Sequence, residues 1–219
     1  MSIDAIVDVE TKTITISHTI VYKNNTDHTL KEIYLNDWNN SYSTKETPLA
    51  KRFEEEFSTK FHLAKSEQRG YTIVTSIKDN ENQFLEYNNL KEHPDVIKVV
   101  LKTPLLPGKS YNLSIKYILA LPDATFTDYG FTKNKDFELK YWYLTPAVYN
   151  GKWNYYSNKN LDDLFVPKTD ITLTITHPLN YRATSELDVI AMNPDYASKT
   201  QTTILSGIDR VDTYLSLSK

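Results

Sequence analysis

The chain has 219 residues, 40% apolar and 24% charged, an ordinary globular composition that excludes disorder. Its net charge of −3, without any basic run, gives no electrostatic case for nucleic acid. No apolar run approaches the roughly 20 residues that span a bilayer, and the absence of cysteine removes disulfides and thiol chemistry. The opening MSIDAIVDVE is acidic and lacks the basic-then-apolar pattern of an export signal, which favours a cytoplasmic location.

In chain order, Ile3 to Val9 and Thr13 to Tyr22 read as strands dense in Ile, Val and Thr, which suit a pleated surface. Asn24-Asn25-Thr26-Asp27 is a turn cluster before a strand at Leu30 to Leu35, and these opening strands are expected to form a meander. Asn36 to Thr47 is polar and turn-rich, with Trp38 and Tyr42 as anchors. The period then changes. Leu49, Phe53, Phe57 and Phe61 recur every four residues, an amphipathic helix stripe within a short helical insertion at about 48–68. Thr47 with Pro48 marks its start, Ser58-Thr59 is a weak point, and Arg69-Gly70 reads as its C-cap. The run Glu54-Glu55-Glu56 is a solvated face.

Strands resume at Tyr71 to Lys78, Phe84 to Tyr87, Val96 to Lys102 and Ser110 to Leu119. The stretch Phe137 to Trp153, FELKYWYLTPAVYNGKW, is the densest in aromatic residues. Phe137, Leu139, Tyr141 and Tyr143 alternate with more polar neighbours, predicting a strand with one buried face. Asn150-Gly151 is the dipeptide of a type I′ turn. These rings either fill the core and rim of a β domain or present an exposed aromatic platform. Asn154 to Lys168 reads as a long loop. Asp170 to Thr176, Tyr181 to Ser185, Asp188 to Met192, Lys199 to Leu205 and Val211 to Leu217 read as further strands. The sum is an all-β chain of curved, saddle-like sheets or a β-sandwich, one domain over 1–219.

No complete catalytic constellation is present. The five histidines, His18, His28, His62, His93 and His177, are never three to five residues apart, so the paired-histidine zinc helix is missing. His18 shares its strand parity with Ile14, Ile16 and Ile20 and reads as a hydrogen-bonded histidine at the edge of the core. There is no nucleophile elbow and no clustered glycine loop. Asp162-Asp163 offers adjacent carboxylates that are best read as solvated.

Several stretches nevertheless resemble a known family, the M1 (gluzincin) zinc aminopeptidases. TKTITISHTIVYKNNT resembles their opening strands, and EIYLNDWNNSYSTKETPLAKRFEEEF is similar to a strand, loop and helix of a bacterial branch. YWYLTPAVYNGKW with DITLTITHPLNYRATSEL resembles the later part of the same domain, and DRVDTYLSLSK its last strand. The resemblance covers nearly the whole chain, as an amino-terminal domain only, and implies no cofactor here. Zinc would belong to a catalytic domain absent from this sequence, which would be the partner, with peptide substrate met through that parent. It also implies that Tyr141, Trp142, Tyr143, Pro146 and Tyr149 form a loop walling the substrate's amino-terminal pocket. Related sequences often carry glutamine where Tyr141 stands and proline where Leu144 stands, so a polar substrate contact is altered here. The rival reading is a stand-alone carbohydrate-binding or adhesion module that uses the same aromatics, Trp142 and Trp153 among them, as a sugar platform.

Overall fold

The computed structural model describes residues 1–160 and 164–219; the Asp162-Asp163 pair lies outside the described residues. Strands in chain order are β1 (Ser2–Asp8), β2 (Thr13–Lys23), β3 (Leu30–Asn36), β4 (Tyr71–Lys78), β5 (Tyr87–Asn89), β6 (Val96–Leu105), β7 (Ser110–Ala120), β8 (Gly130–Phe131) and β9 (Phe137–Leu139). They continue as β10 (Thr145–Pro146), β11 (Val148–Tyr149), β12 (Trp153–Asn154), β13 (Thr169–Pro178), β14 (Arg182–Ser185), β15 (Asp188–Asp195), β16 (Thr200–Arg210) and β17 (Leu215–Ser218). The protein is all-β with a helical insertion, as the patterning predicts.

One large sheet runs β15–β16–β13–β1–β2–β7–β4. It is antiparallel except where β1 lies parallel to β13, from Ser2 beside Thr172 to Ile6 beside Thr176. The period-2 pattern decides its faces. In β2, Ile14, Ile16, His18 and Ile20 are buried while Thr15, Ser17, Thr19 and Val21 are exposed. In β7, Tyr111, Leu113, Ile115, Tyr117 and Leu119 repeat the alternation. A smaller sheet, β10–β3–β6–β5, and another, β14–β17–β9–β8, add Ile33, Leu35, Ile97, Val99, Leu139 and Leu217 to the same buried cluster.

The opening strands are therefore not a three-stranded meander. β2 turns to β7 across an eleven-residue register, and β3 leaves for the smaller sheet. Asn24 explains the departure: its buried side-chain amide donates to the carbonyls of His28 at 2.7 Å and Leu105 at 3.1 Å, tying the crossing segment to β6.

The helical insertion is real but broken. In α1 (Pro48–Glu55), Thr47 caps the N-terminus, its Oγ1 accepting from the Ala50 amide at 3.2 Å. Leu49, Phe53 and Phe61 are buried as the stripe predicts, but Phe57 is not. It is 93% exposed at φ +56, where Phe57 N–H bonds to Glu54 O and Ser58 N–H to Phe53 O. These two bonds form the left-handed cap that ends a helix and usually carries glycine. The break thus falls one residue before Ser58-Thr59, and a second turn, α2 (Lys60–Leu63), returns Phe61 to the core. Gly70 is no C-cap. A Cβ there would stand 2.5 Å from Pro122 Cδ, so glycine is required by close packing under that proline.

The predicted strand from Phe137 to Tyr143 ends at Leu139. Tyr141 has φ +50, which abolishes the alternation, and 141–147 are buried without period. The Asn150-Gly151 hairpin also differs from a two-residue type I′ turn. β11 and β12 pair Tyr149 with Trp153 across three loop residues, and of Asn150 and Gly151 only Gly151 has positive φ, +88. Phe84 makes an isolated bridge to Lys78, so β5 starts only at Tyr87. Among the described residues no helix is long and apolar enough to cross a membrane.

Candidate functional site

The aromatic stretch threads through the molecule instead of forming one loop surface. From β9 the chain reaches Tyr141, whose amide donates to Asp212 Oδ1 at 3.1 Å and so holds the left-handed turn. Burial pushes the Asp212 carboxyl up to about 6, against the lowering effect of the Tyr141 and Thr213 amides that it accepts. Trp142 is 1% exposed, its indole N–H donating to Thr213 O at 3.1 Å. The Tyr143 hydroxyl donates to Thr213 Oγ1 at 3.1 Å, and its ring stands edge-on to His18, 6.1 Å between centroids. Leu144 N–H donates to the Tyr117 hydroxyl at 3.3 Å, and Pro146 is buried in β10 opposite Leu35.

The five residues predicted from the sequence therefore lie in different places. Trp142, Tyr143 and Pro146 are interior, Tyr141 borders a cleft, and Tyr149 stands half-buried in the β11–β12 hairpin. His18 lies in the core itself, 2% exposed, not at its edge.

The cleft beside Tyr141 has a volume of about 700 Å³. Trp38 meets Tyr141 edge to face at 5.1 Å and donates its indole N–H to Tyr156 O at 3.1 Å. Tyr42 and Tyr129 stack at 5.5 Å along another wall, and Tyr129 donates to Asn39 Oδ1 at 2.9 Å. Glu138 receives hydrogen bonds from the hydroxyls of Tyr214 and Ser216, and Lys140 Nζ lies 5.0 Å from the centre of the Tyr141 ring. Aromatic faces, two carboxylates (Asp128, Glu138) and one ammonium thus line one concavity.

A buried polar network positions the wall of this cleft. Asp95, fully buried, accepts from Ser157 Oγ and from the Asn158 amide, each at 2.7 Å, and Asn158 Nδ2 donates to Ser41 Oγ at 3.1 Å. Burial raises the Asp95 carboxyl, opposed by those two donors. Asp37, 2% exposed, accepts from Thr72 Oγ1 at 2.6 Å; burial pushes its carboxyl up to about 7, with Asp95 adding to the rise. His93 Nδ1 lies 2.8 Å from Ser157 Oγ. Serine, histidine and aspartate are adjacent here without being a nucleophilic triad. In a triad the carboxylate holds the imidazole, which takes the serine proton. Here the Ser157 hydroxyl donates to Asp95 itself, so the imidazole must donate to the serine oxygen.

Among the described residues no three His, Asp or Glu side chains converge as metal ligands, so no donor set in them fits a zinc ion. Sequence reasoning missed Asp95, Glu138, Asn158 and Tyr214 as neighbours of the cleft, because four distant segments supply them. The one local clue is the polar, turn-rich run that begins at Asn36, at the end of β3, and carries Trp38 and Tyr42 as anchors.

No family model matches the chain, and no curated protein sequence matches it. Solved structures do. The M1 zinc metallopeptidase from Deinococcus radiodurans superposes with a TM-score of 0.58 at 13% identity over 99% of this chain and 40% of that one. A mutant of the same enzyme gives 0.59 at 12% identity over 99% and 41%. Its complex with a Tyr-Ser-Ala substrate gives 0.57 at 12% over 99% and 40%. At such identity the likeness is one of fold, and the chain spans about 40% of the length of these peptidases.

Proposed function

We propose that the chain is the amino-terminal domain of a larger M1-like zinc metallopeptidase and is non-catalytic by itself. In this reading its saddle-shaped sheets pack on the catalytic domain, and the Tyr141 cleft contributes to the substrate entrance. The supporting observation is the near-complete use of this chain, 99%, in a superposition that leaves well over half of the peptidase unmatched. Trp38, Tyr141 and Tyr214 would then hold a substrate side chain by area and ring contact, and Glu138 and Asp128 would bias the cleft toward positive charge. A mutant of the structurally similar peptidase binds Tyr-Ser-Ala.

The decisive experiment reads the coding sequence on the far side of Lys219 and expresses the whole product. An H-E-x-x-H helix with a downstream glutamate is expected. Tyr141→Ala in that product should raise KM for peptide several-fold while leaving kcat within about twofold. A continuation without zinc ligands would overturn the proposal.

A further inference from the structure

A second concavity, of about 590 Å³, shares no lining residue with the Tyr141 cleft. It is built by the start of β3 and the β11–β12 hairpin. Hairpin pairing sets Tyr149 opposite Trp153, and side chains opposed across a ladder share a face; their rings are 5.1 Å apart. Trp153 leans on Tyr34 at 5.5 Å and on Tyr22 at 5.9 Å, while Tyr155 stacks on Tyr34 at 4.9 Å and 15°. The Tyr149 hydroxyl is tied to His28 Nδ1 at 3.1 Å. Tyr149, Trp153 and Tyr155 are thus braced by neighbours yet remain partly exposed. Rings held this way lose little freedom when something lies on them.

The charges around them are unequal. Glu32 is already engaged, by Lys98 at 2.5 Å and by the Tyr34 hydroxyl at 2.9 Å. Lys31 and Lys152 also line the groove, are exposed, and make no ion pair among the described residues. A chain of net charge −3 therefore presents a locally cationic, aromatic-floored groove. At its tip a Cβ on Gly151 would meet nothing within 4 Å, so the hairpin leaves open space there.

We propose that this groove binds a carbohydrate bearing carboxylates, an oligomer of uronic acids. The C–H face of a pyranose lies on Trp153 and Tyr155, and the carboxylates pair with Lys31 and Lys152. The groove is separate from the Tyr141 cleft, and binding there does not depend on the peptidase reading.

The test titrates the 219-residue chain with oligogalacturonate and, in parallel, with the neutral galactose oligomer of equal length. Calorimetry and tryptophan fluorescence report binding. The acidic oligomer should bind at least tenfold more tightly than the neutral one, and more weakly as salt rises. Trp153→Ala should weaken it roughly tenfold, and the Lys31→Ala/Lys152→Ala pair should do the same while flattening the salt dependence. The lysine pair is exposed, so that variant keeps its fold even if the tryptophan variant does not. Absence of oligogalacturonate binding, equal binding of the neutral oligomer, or tighter binding of a single-stranded oligonucleotide would each overturn the proposal.

Discussion

Replacing Asp37 by Asn isolates the cost of keeping a carboxyl inside the network behind the cleft. Asp37 is 2% exposed, its Oδ1 accepts from Thr72 Oγ1 at 2.6 Å, and burial, with Asp95 adding, pushes its carboxyl up to about 7. A group that holds its proton more tightly when folded contributes a stability that is complete below its unfolded value, about 4. That contribution disappears as pH rises through about 7. At about 1.4 kcal/mol per tenfold in proton affinity, the full swing is at most about 4 kcal/mol, and water entry on ionisation reduces it to about 2–3 kcal/mol. Asparagine keeps the Oδ1 acceptor for Thr72 and carries no charge. Urea unfolding of wild type and Asp37→Asn from pH 4 to pH 8.5 should therefore diverge. The variant gains on wild type as pH rises, by about 2–3 kcal/mol at pH 8, and the two come together near pH 4. Parallel profiles would refute the reasoning and place the ionised carboxylate in a better-solvated site than its burial implies.

Other perturbations read other parts of the same physics. Burial lowers His18 to about 3, so the unfolded chain takes up a proton that the folded chain refuses; stability should fall as pH drops from about 6.5 toward 3, by up to about 5 kcal/mol, and His18→Leu should remove that loss in denaturant titrations at pH 4.5 and 7.5. Phe57→Gly should raise stability by about 1 kcal/mol, seen as a later urea midpoint at unchanged slope, because Phe57 occupies a left-handed cap while 93% exposed. Gly70→Ala should destabilise by about 1–3 kcal/mol, since the new Cβ would lie 2.5 Å from Pro122 Cδ and 2.9 Å from Ala120 O. Trp142→Ala should cost about 3–5 kcal/mol in chemical unfolding and leave oligogalacturonate binding intact, as its ring is in the core and not in the Trp153 groove.

The all-β class, the long strands and the capped start of the helical insertion are legible in the sequence because each depends on local period or local hydrogen bonding. β2 and β7 alternate so regularly that their buried faces can be read one residue at a time. The failures share a different cause: each is a place where a distant contact overrides the local pattern. Tyr141 leaves the strand because Asp212, seventy-one residues away, accepts its amide. β3 leaves the opening sheet because Asn24 is bonded to Leu105. Gly70 is set by Pro122, not by the helix before it.

The aromatic stretch illustrates the same limit at the level of function. Composition cannot say whether seventeen residues rich in Tyr and Trp make a core or a platform, and the fold makes them both. Phe137, Trp142 and Tyr143 pack inward, Tyr141 turns to one concavity, and Tyr149 and Trp153 turn to another. The division is made by two backbone events, the left-handed turn at Tyr141 and the three-residue hairpin after Tyr149. The first ends the alternation of β9, and the second folds Tyr149 and Trp153 onto one face, so near neighbours in sequence end on separate surfaces. Two surfaces that share no residue can be probed independently. Tyr141→Ala probes the first cleft without touching the Trp153 groove, and the Lys31→Ala/Lys152→Ala pair probes the groove without touching that cleft.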